Sequence, residues 1–281
     1  MKKQATDDTG SMFTSSTEGA VAVVRLHPDL LQNLVRLDEK QRFVDHLDTL
    51  SKDGAINVIV LMGSSEKLGR KELIEFYRTA LRGATPSHCV DRLHNSIDQL
   101  ILSLTDSNKM VLHADSGKLT SLNMNIALAC DYRMVRDDTT FHGPYLDLGL
   151  VPKGGGVYFL TRILGHSATY EMLLSGHDFA AEEALALGIV DRVVPADEFE
   201  QVVMQRARYF AERPARSLSG IKQLMRCCKS ELAASLECEN RLLAAYTKSD
   251  DFKALLDKGP PNPKLVQQPD VVMGGMECEC V

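Results

Sequence analysis

The groups able to move protons near neutral pH gather between Val111 and Gly165, where His113, His142, Tyr145 and Asp147 stand. An aspartate or a neutral imidazole can accept a proton there. A tyrosine, with an ordinary pKa near about 10, donates a hydrogen bond but is a poor base. Tyr145 and Asp147 are two residues apart, so an extended segment would put both side chains on one face. Each group also has a plainer reading. Asp147 suits a loop or helix cap, His142 a hydrogen-bonded surface, and His113, inside a strand-like run, a satisfied core position. Gly154-Gly155-Gly156 could cradle a phosphate; beside the helical run that follows, it is read as a close helix contact.

The seven cysteines show no ligand spacing. Cys227 and Cys228 are adjacent, so on a helix they point about 100° apart. Cys278 and Cys280 have no further His or Cys nearby to complete four ligands, and no metal site is expected.

The elements that must carry these groups follow from periodicity. Ala20–Leu26, Ile56–Met62, Met110–Ala114, Tyr132–Val135 and Ile189–Val194 are short apolar runs read as strands. Leu34–Leu50, Arg70–Leu81, Arg92–Leu104, Val157–Leu164, Tyr170–Leu174 and Ala180–Leu187 have helical spacing. From Ala196 to Lys258 the pattern is helical, broken at Pro214. Strands alternating with helices predict an α/β fold with parallel strands. Four regions are expected: a flexible 1–17, a core over 18–195, a helical region over 196–258 and a flexible tail over 259–281.

With 281 residues, 44% of them hydrophobic, the chain can bury one large core or form a domain plus an appendage. No run of 18 apolar residues occurs, so no membrane span is expected. The polar, acidic start has no apolar core of a signal peptide, and the odd cysteine count suits a reducing compartment, so a cytoplasmic location is expected. The net charge of −6 includes no basic stripe, and nucleic acid is not an expected partner.

Five segments in order are more specific. They are Asn125–Arg133, Leu148–Gly156 with Leu-Gly-Leu-Val-Pro-Lys-Gly-Gly-Gly, Leu160–Gly165, Glu171–Gly176 and Glu183–Val194. This succession resembles the enoyl-CoA hydratase/isomerase (crotonase) family over about residues 18 to 260. Glu239-Asn240 and Asp251–Lys258 match its closing helices. The resemblance implies a spiral of ββα turns followed by a helical trimerisation region. It implies a homo-oligomer, a trimer or dimer of trimers. It also implies an acyl-CoA thioester, with coenzyme A arriving as part of the substrate and no covalent cofactor. In the family two backbone N–H groups hold the thioester oxygen, each such donor contributing about 3–4 kcal/mol to its stabilisation.

Carried over position by position, the second of those donors falls on Leu122, where Ser121-Leu122-Asn123 replace three glycines. The first falls on Arg70, with Leu68 and Gly69 beside the coenzyme, in a loop two residues shorter than the pattern. Lys258 matches a position near coenzyme A phosphates, and Asp131 a structural aspartate. Family hydratases place two glutamates where this chain has Asn125 and Tyr145. Asparagine does not titrate, so ordinary hydration is not expected. Asp147 is a candidate substitute for the missing carboxylate. Two readings stay open on sequence: an isomerase, hydrolase or decarboxylase type of enzyme, or an inactive relative that binds a thioester or serves as a structural subunit.

Overall fold

A computed structural model describes residues 12–27, 30–63, 74–75, 77–78, 86–143, 145–225 and 229–258. The chain enters through a hairpin, β1 (Phe13–Glu18) and β2 (Val21–Leu26), turned at Gly19 with φ 57°. This corrects the expectation of a flexible segment through residue 17. The Thr and Ser residues of β1 lack an apolar rhythm, but they pair with β2 from Phe13↔Leu26 to Glu18↔Val21. Phe13 packs on Phe43 with ring centroids 5.1 Å apart. Met12 is fully buried, and its N–H donates to Glu39 at 3.0 Å.

Helices α1 (Leu30–Val35) and α2 (Leu37–Lys52) lead to β3 (Val58–Met62). After α3 (Pro86–Asp106) the chain makes two successive turns of one kind. The first is β4 (Met110–Asp115), β5 (Lys118–Thr120) and α4 (Ser121–Leu128). The second is β6 (Tyr132–Arg136), β7 (Thr140–His142), a 3-10 turn over Leu146–Leu148 and α5 (Gly156–Ser175). Then follow β8 (Phe179–Ala180), α6 (Ala181–Ala186) and β9 (Arg192–Val194). In each ββα turn one strand joins the large sheet, ordered β1-β2-β3-β4-β6-β9, and the next joins the small sheet, ordered β5-β7-β8. From β2 to β9 the large sheet is parallel. Within α5, Gly165 at φ 77°, ψ 170° interrupts the helix between the two helical runs expected there.

The strands alternate as a two-sided sheet requires. Ile59, Leu61 and Val111 join the core that holds Phe43 of α2 and Leu93, Ile97 and Leu100 of α3. Val58, Val60, Met62 and Leu112 face Phe199, Val203 and Ala207 of α7 (Phe199–Ala211). Three more helices close the described chain: α8 (Ala215–Met225), α9 (Lys229–Tyr246) and α10 (Asp250–Lys258). Among the described residues no helix is long and apolar enough to cross a membrane. The expected tail over 259–281, the Cys227-Cys228 pair and the cysteines at 278 and 280 lie outside the described residues.

Asp131 clips the helical region to the sheet. Its Oδ2 accepts the Val111 N–H at 2.7 Å and Lys222 Nζ of α8 at 2.5 Å. Lys222, 7% exposed, also donates to the Lys109 carbonyl at 2.8 Å. Lys222→Ala would strand these acceptors in a poorly hydrated site. A loss of about 2–4 kcal/mol is expected in urea unfolding. An unchanged midpoint would show that the clip carries no net stability.

Candidate active site

The site forms where the second ββα turn closes on the first. Asn125 occupies the middle of α4 and is fully buried. Tyr145 precedes the 3-10 turn with φ −60°, ψ −49°. Asn125 Nδ2 donates to the Tyr145 hydroxyl at 3.1 Å and to the Lys153 carbonyl at 2.7 Å. Among the described residues Asn125 Oδ1 has no partner. The two positions singled out in the sequence therefore meet. Burial holds the Tyr145 phenol well above its ordinary range, against the Asn125 hydrogen bond and the neighbouring Ser121 hydroxyl, which favour the opposite shift. Tyr145 is thus a hydrogen-bond donor at neutral pH and not a base.

Ser121, 3% exposed, begins α4 next to Leu122. The first N–H groups of any helix have no carbonyl one turn back to bond. Leu122 is in that first turn, so its amide has the local geometry of a donor whatever its side chain. Ser121 and Tyr145 border a small, solvent-open cleft. Its apolar lining is Met124, Phe141, Met172, Leu173 and Phe179, with Phe141 and Phe179 stacked at 4.9 Å. His142 and His177 complete it. His142 is held on both sides, Nδ1 2.7 Å from Asp178 and Nε2 3.1 Å from the Thr140 hydroxyl. It is hydrogen-bonded as expected, and it also faces the cleft.

Two readings of the sequence change. The shared face of Tyr145 and Asp147 required an extended segment, but the backbone turns there as a 3-10 helix with Asp147 at its centre. At three residues per turn, positions i and i+2 diverge. The side chain of Asp147 lies outside the described residues. His113 is buried at 1% exposure but is not satisfied: Nδ1 has no partner among the described residues, and Nε2 is 3.8 Å from Asp115 Oδ2. The glycines of 154–156 keep the reading given to them: their Gly154 and Gly155 N–H groups are taken by Glu239, at 2.9 Å and 3.1 Å, and are not free for a phosphate. They serve the close contact. Leu68, Gly69 and Arg70 lie outside the described residues, as does the side chain of Lys258, which ends α10.

Sequence reasoning passed over a buried cluster under this site: Asp98 of α3, Lys153 of the glycine turn and Glu239 of α9. Lys153 Nζ donates to Asp98 Oδ1 and lies 3.8 Å from Glu239 Oε2. Asn240 Nδ2 holds the other Asp98 oxygen at 2.6 Å. The signals available were a lone lysine inside a glycine-rich turn and the Glu239-Asn240 pair. Among the described residues no cluster of His, Cys, Asp and Glu is arranged to hold a metal.

The fold of ββα turns sets a helix N-terminus and a buried amide–phenol pair beside an apolar cleft. The comparisons are specific. The sequence profile described as Enoyl-CoA hydratase/isomerase matches residues 16–262, so the chain belongs to that family. It is similar to a probable enoyl-CoA hydratase of Mycobacterium avium (strain 104), 31% identical over 175 residues, 62% of this chain and 66% of that protein. The match thus spans just under two thirds of that relative's length. A 2,3-dehydroadipyl-CoA hydratase of Escherichia coli (strain K12) is 26% identical over 253 residues, 88% of this chain and 96% of the relative. An enoyl-CoA hydratase structure from Bacillus halodurans superposes with a TM-score of 0.79 at 21% identity, covering 88% of this chain and all of the other.

Asp115, at the carboxyl end of β4, is buried against the Gly63 backbone: a Cβ on Gly63 would fall 2.2 Å from its Oδ1. Burial pushes Asp115 up to about 7, partly offset by the Ser116 N–H. The native state then binds this proton more tightly than the unfolded chain. The resulting stabilisation is complete below about pH 4 and lost as pH rises through about 7. Asp115→Asn removes that dependence. The difference in Tm between wild type and variant should shift towards the variant from about pH 4.5 to 7.5, with His113 cancelling in the comparison. A pH-independent difference would contradict the assignment.

Proposed function

We propose that the chain binds an acyl-CoA thioester, its carbonyl oxygen at the N-terminal turn of α4, and activates it by hydrogen-bond donation without a glutamate pair. The observation that carries this reading is the Asn125–Tyr145 contact of 3.1 Å at the two family glutamate positions. Neither group abstracts a proton at neutral pH; Asn125 spends both its N–H bonds on Tyr145 and the Lys153 carbonyl, which leaves the Tyr145 hydroxyl as the donor for a bound oxygen. On this reading the Leu122 and Arg70 amides hold the thioester oxygen, and Tyr145 donates from the side. Leu68, Gly69 and Lys258 contact coenzyme A. The apolar cleft takes the acyl group, in keeping with relatives named for enoyl-CoA and trans-2-decenoyl-acyl-carrier-protein substrates. The chemistry is then of isomerase, hydrolase or decarboxylase type, with Asp147 as the candidate carboxylate.

The same inability to titrate favours a second reading, an inactive relative that keeps the thioester site. Residues 18–195 supply the site in either case, and 196–258 the association region. Exposed Ile221, Leu224 and Met225 on α8, with Leu242 and Tyr246 on α9, support burial of that region against further copies in a trimer or dimer of trimers.

Thermal unfolding with a panel of acyl-CoAs tests binding. At 100 times the dissociation constant, a ligand of the native state adds about 2.7 kcal/mol. No shift with any acyl-CoA would sink both the enzyme and the binder. Given binding, turnover that falls at least about tenfold in Tyr145→Phe supports the enzyme. Turnover unchanged in Asp147→Asn would remove Asp147 from the mechanism, and absence of all turnover would select the binder.

A further inference from the structure

Glu239 belongs to α9, far along the chain from Tyr145, and the reading above gives it no role. Its carboxylate is 6% exposed. Oε2 accepts the Gly154 N–H at 2.9 Å, and Oε1 accepts the Gly155 N–H at 3.1 Å. The peptide that donates through Gly154 N–H presents the Lys153 carbonyl at its other edge, and that carbonyl accepts from Asn125 at 2.7 Å. One peptide plane is therefore gripped from both sides, by Glu239 on its amide and by Asn125 on its oxygen. The Asn125 amide also donates to the Tyr145 oxygen at 3.1 Å. Because that oxygen accepts from Asn125, the phenolic hydrogen must point elsewhere. Ser121 and the cleft it lines lie beside it.

We infer that Glu239 is a positioning residue: acting through the Lys153–Gly154 peptide and Asn125, it fixes the direction in which Tyr145 donates its hydrogen bond. The functional weight of this rests on the reading of Tyr145 as a donor to bound thioester. Hydrogen bonds in series polarise one another, and a charged acceptor makes the strongest link. Ionised Glu239 draws on the Gly154 N–H, makes the Lys153 oxygen more negative and tightens the Asn125 amide against it. Protonation relaxes the whole series.

The groups packed around Glu239 place that protonation in the working range. Lys153, from the turn, is the one cation that faces it among the described residues, and Lys153 is shared with Asp98 of α3. His94 of α3 is pushed down to about 4 by burial and by Lys153, so it is neutral. Tyr145 is neutral, Asn125 and Asn240 carry no charge, and the buried Tyr77 phenol is pushed up to about 12. One cation among two carboxylates leaves a net negative charge in a dry site. Burial pushes Glu239 up to about 7, aided by Asp98 and opposed by Lys153 and the two glycine N–H groups.

The test reads Tyr145 directly, without ligand. The full chain is labelled with tyrosine ¹³C at the ζ carbon, and the Tyr145 resonance is the one lost in Tyr145→Phe. In wild type it should move with a midpoint near 7. Glu239→Gln keeps an acceptor oxygen for the glycine amides but no charge, and should abolish the movement. Asn125→Ala breaks the series in the middle and should abolish it as well, which covers the case of a poorly folding Glu239 variant. A Tyr145 resonance that stays fixed across neutral pH in wild type, or titrates unchanged in either variant, overturns the proposal. Failure to bind acyl-CoA would overturn the functional reading and leave this result standing.

Discussion

The turn from Lys153 to Gly156 is the constraint on which the site depends. Three helices meet on its backbone with no room for side chains. A Cβ at Gly154 would lie 3.1 Å from Ile97 of α3, one at Gly155 would lie 3.0 Å from Leu232 of α9, and one at Gly156 would lie 2.7 Å from Asn125 Nδ2 of α4. Gly154 and Gly155 also hold φ of 89° and 76°. An L side chain in that region costs about 1–2 kcal/mol per residue before any clash is counted. The turn thus sets the start of α5 against α4 and α9 together. Asn125 can reach Tyr145 only because Gly156 leaves the space above it.

Such close packing brings charge inside. Lys153 follows the turn inward and is 5% exposed. A buried ion gains stability only when every polar atom around it finds a partner. The cluster largely meets this condition: Lys153 has Asp98 and Glu239, Asp98 has Asn240, and Glu239 has two backbone amides. His113 and Asp115 meet it less well. Their contact is long at 3.8 Å, and one imidazole nitrogen is unpartnered among the described residues. The fold resolves that conflict by protonation state, pushing His113 down to about 3 and Asp115 up to about 7, so that both lean towards neutrality.

What the sequence displayed was set by local rules. The strands Val58–Met62 and Met110–Asp115 announce themselves because both faces are buried and the residues are β-branched or large and apolar. Asn125 and Tyr145 were legible because their neighbours in the chain carry the family's pattern. The small sheet was not legible: β5 and β7 are three residues each, too short for a period to emerge. The hairpin strand β1 was missed because its order comes from pairing with β2. Glu239 and Lys153 are 86 residues apart in numbering, and their partnership follows from the glycine turn alone. The misreading of Asp147 came from assuming an extended backbone where the chain tightens into a 3-10 turn.

The physical logic of the amide–phenol pair differs from that of two glutamates. A carboxylate pair moves protons but repels a developing negative charge on oxygen. A neutral asparagine and a phenol held far above its ordinary pKa carry no such charge. On the proposed reading the phenol turns its O–H to an incoming oxygen and takes no proton from it, while both Asn125 N–H bonds go to Tyr145 and the Lys153 carbonyl. Preorganised donors of this kind are most effective where water is scarce, because their dipoles need no reorganisation as charge develops. Fully buried Asn125 and the apolar lining of the cleft meet that requirement. The negative charge of the cluster sits behind the pair, on the far side of the Lys153–Gly154 peptide. From there it polarises the donors through bonded groups and does not face the cleft itself. On the proposed reading the pair lacks the proton-transfer capacity of two glutamates but keeps a hydrogen-bond donor beside the cleft.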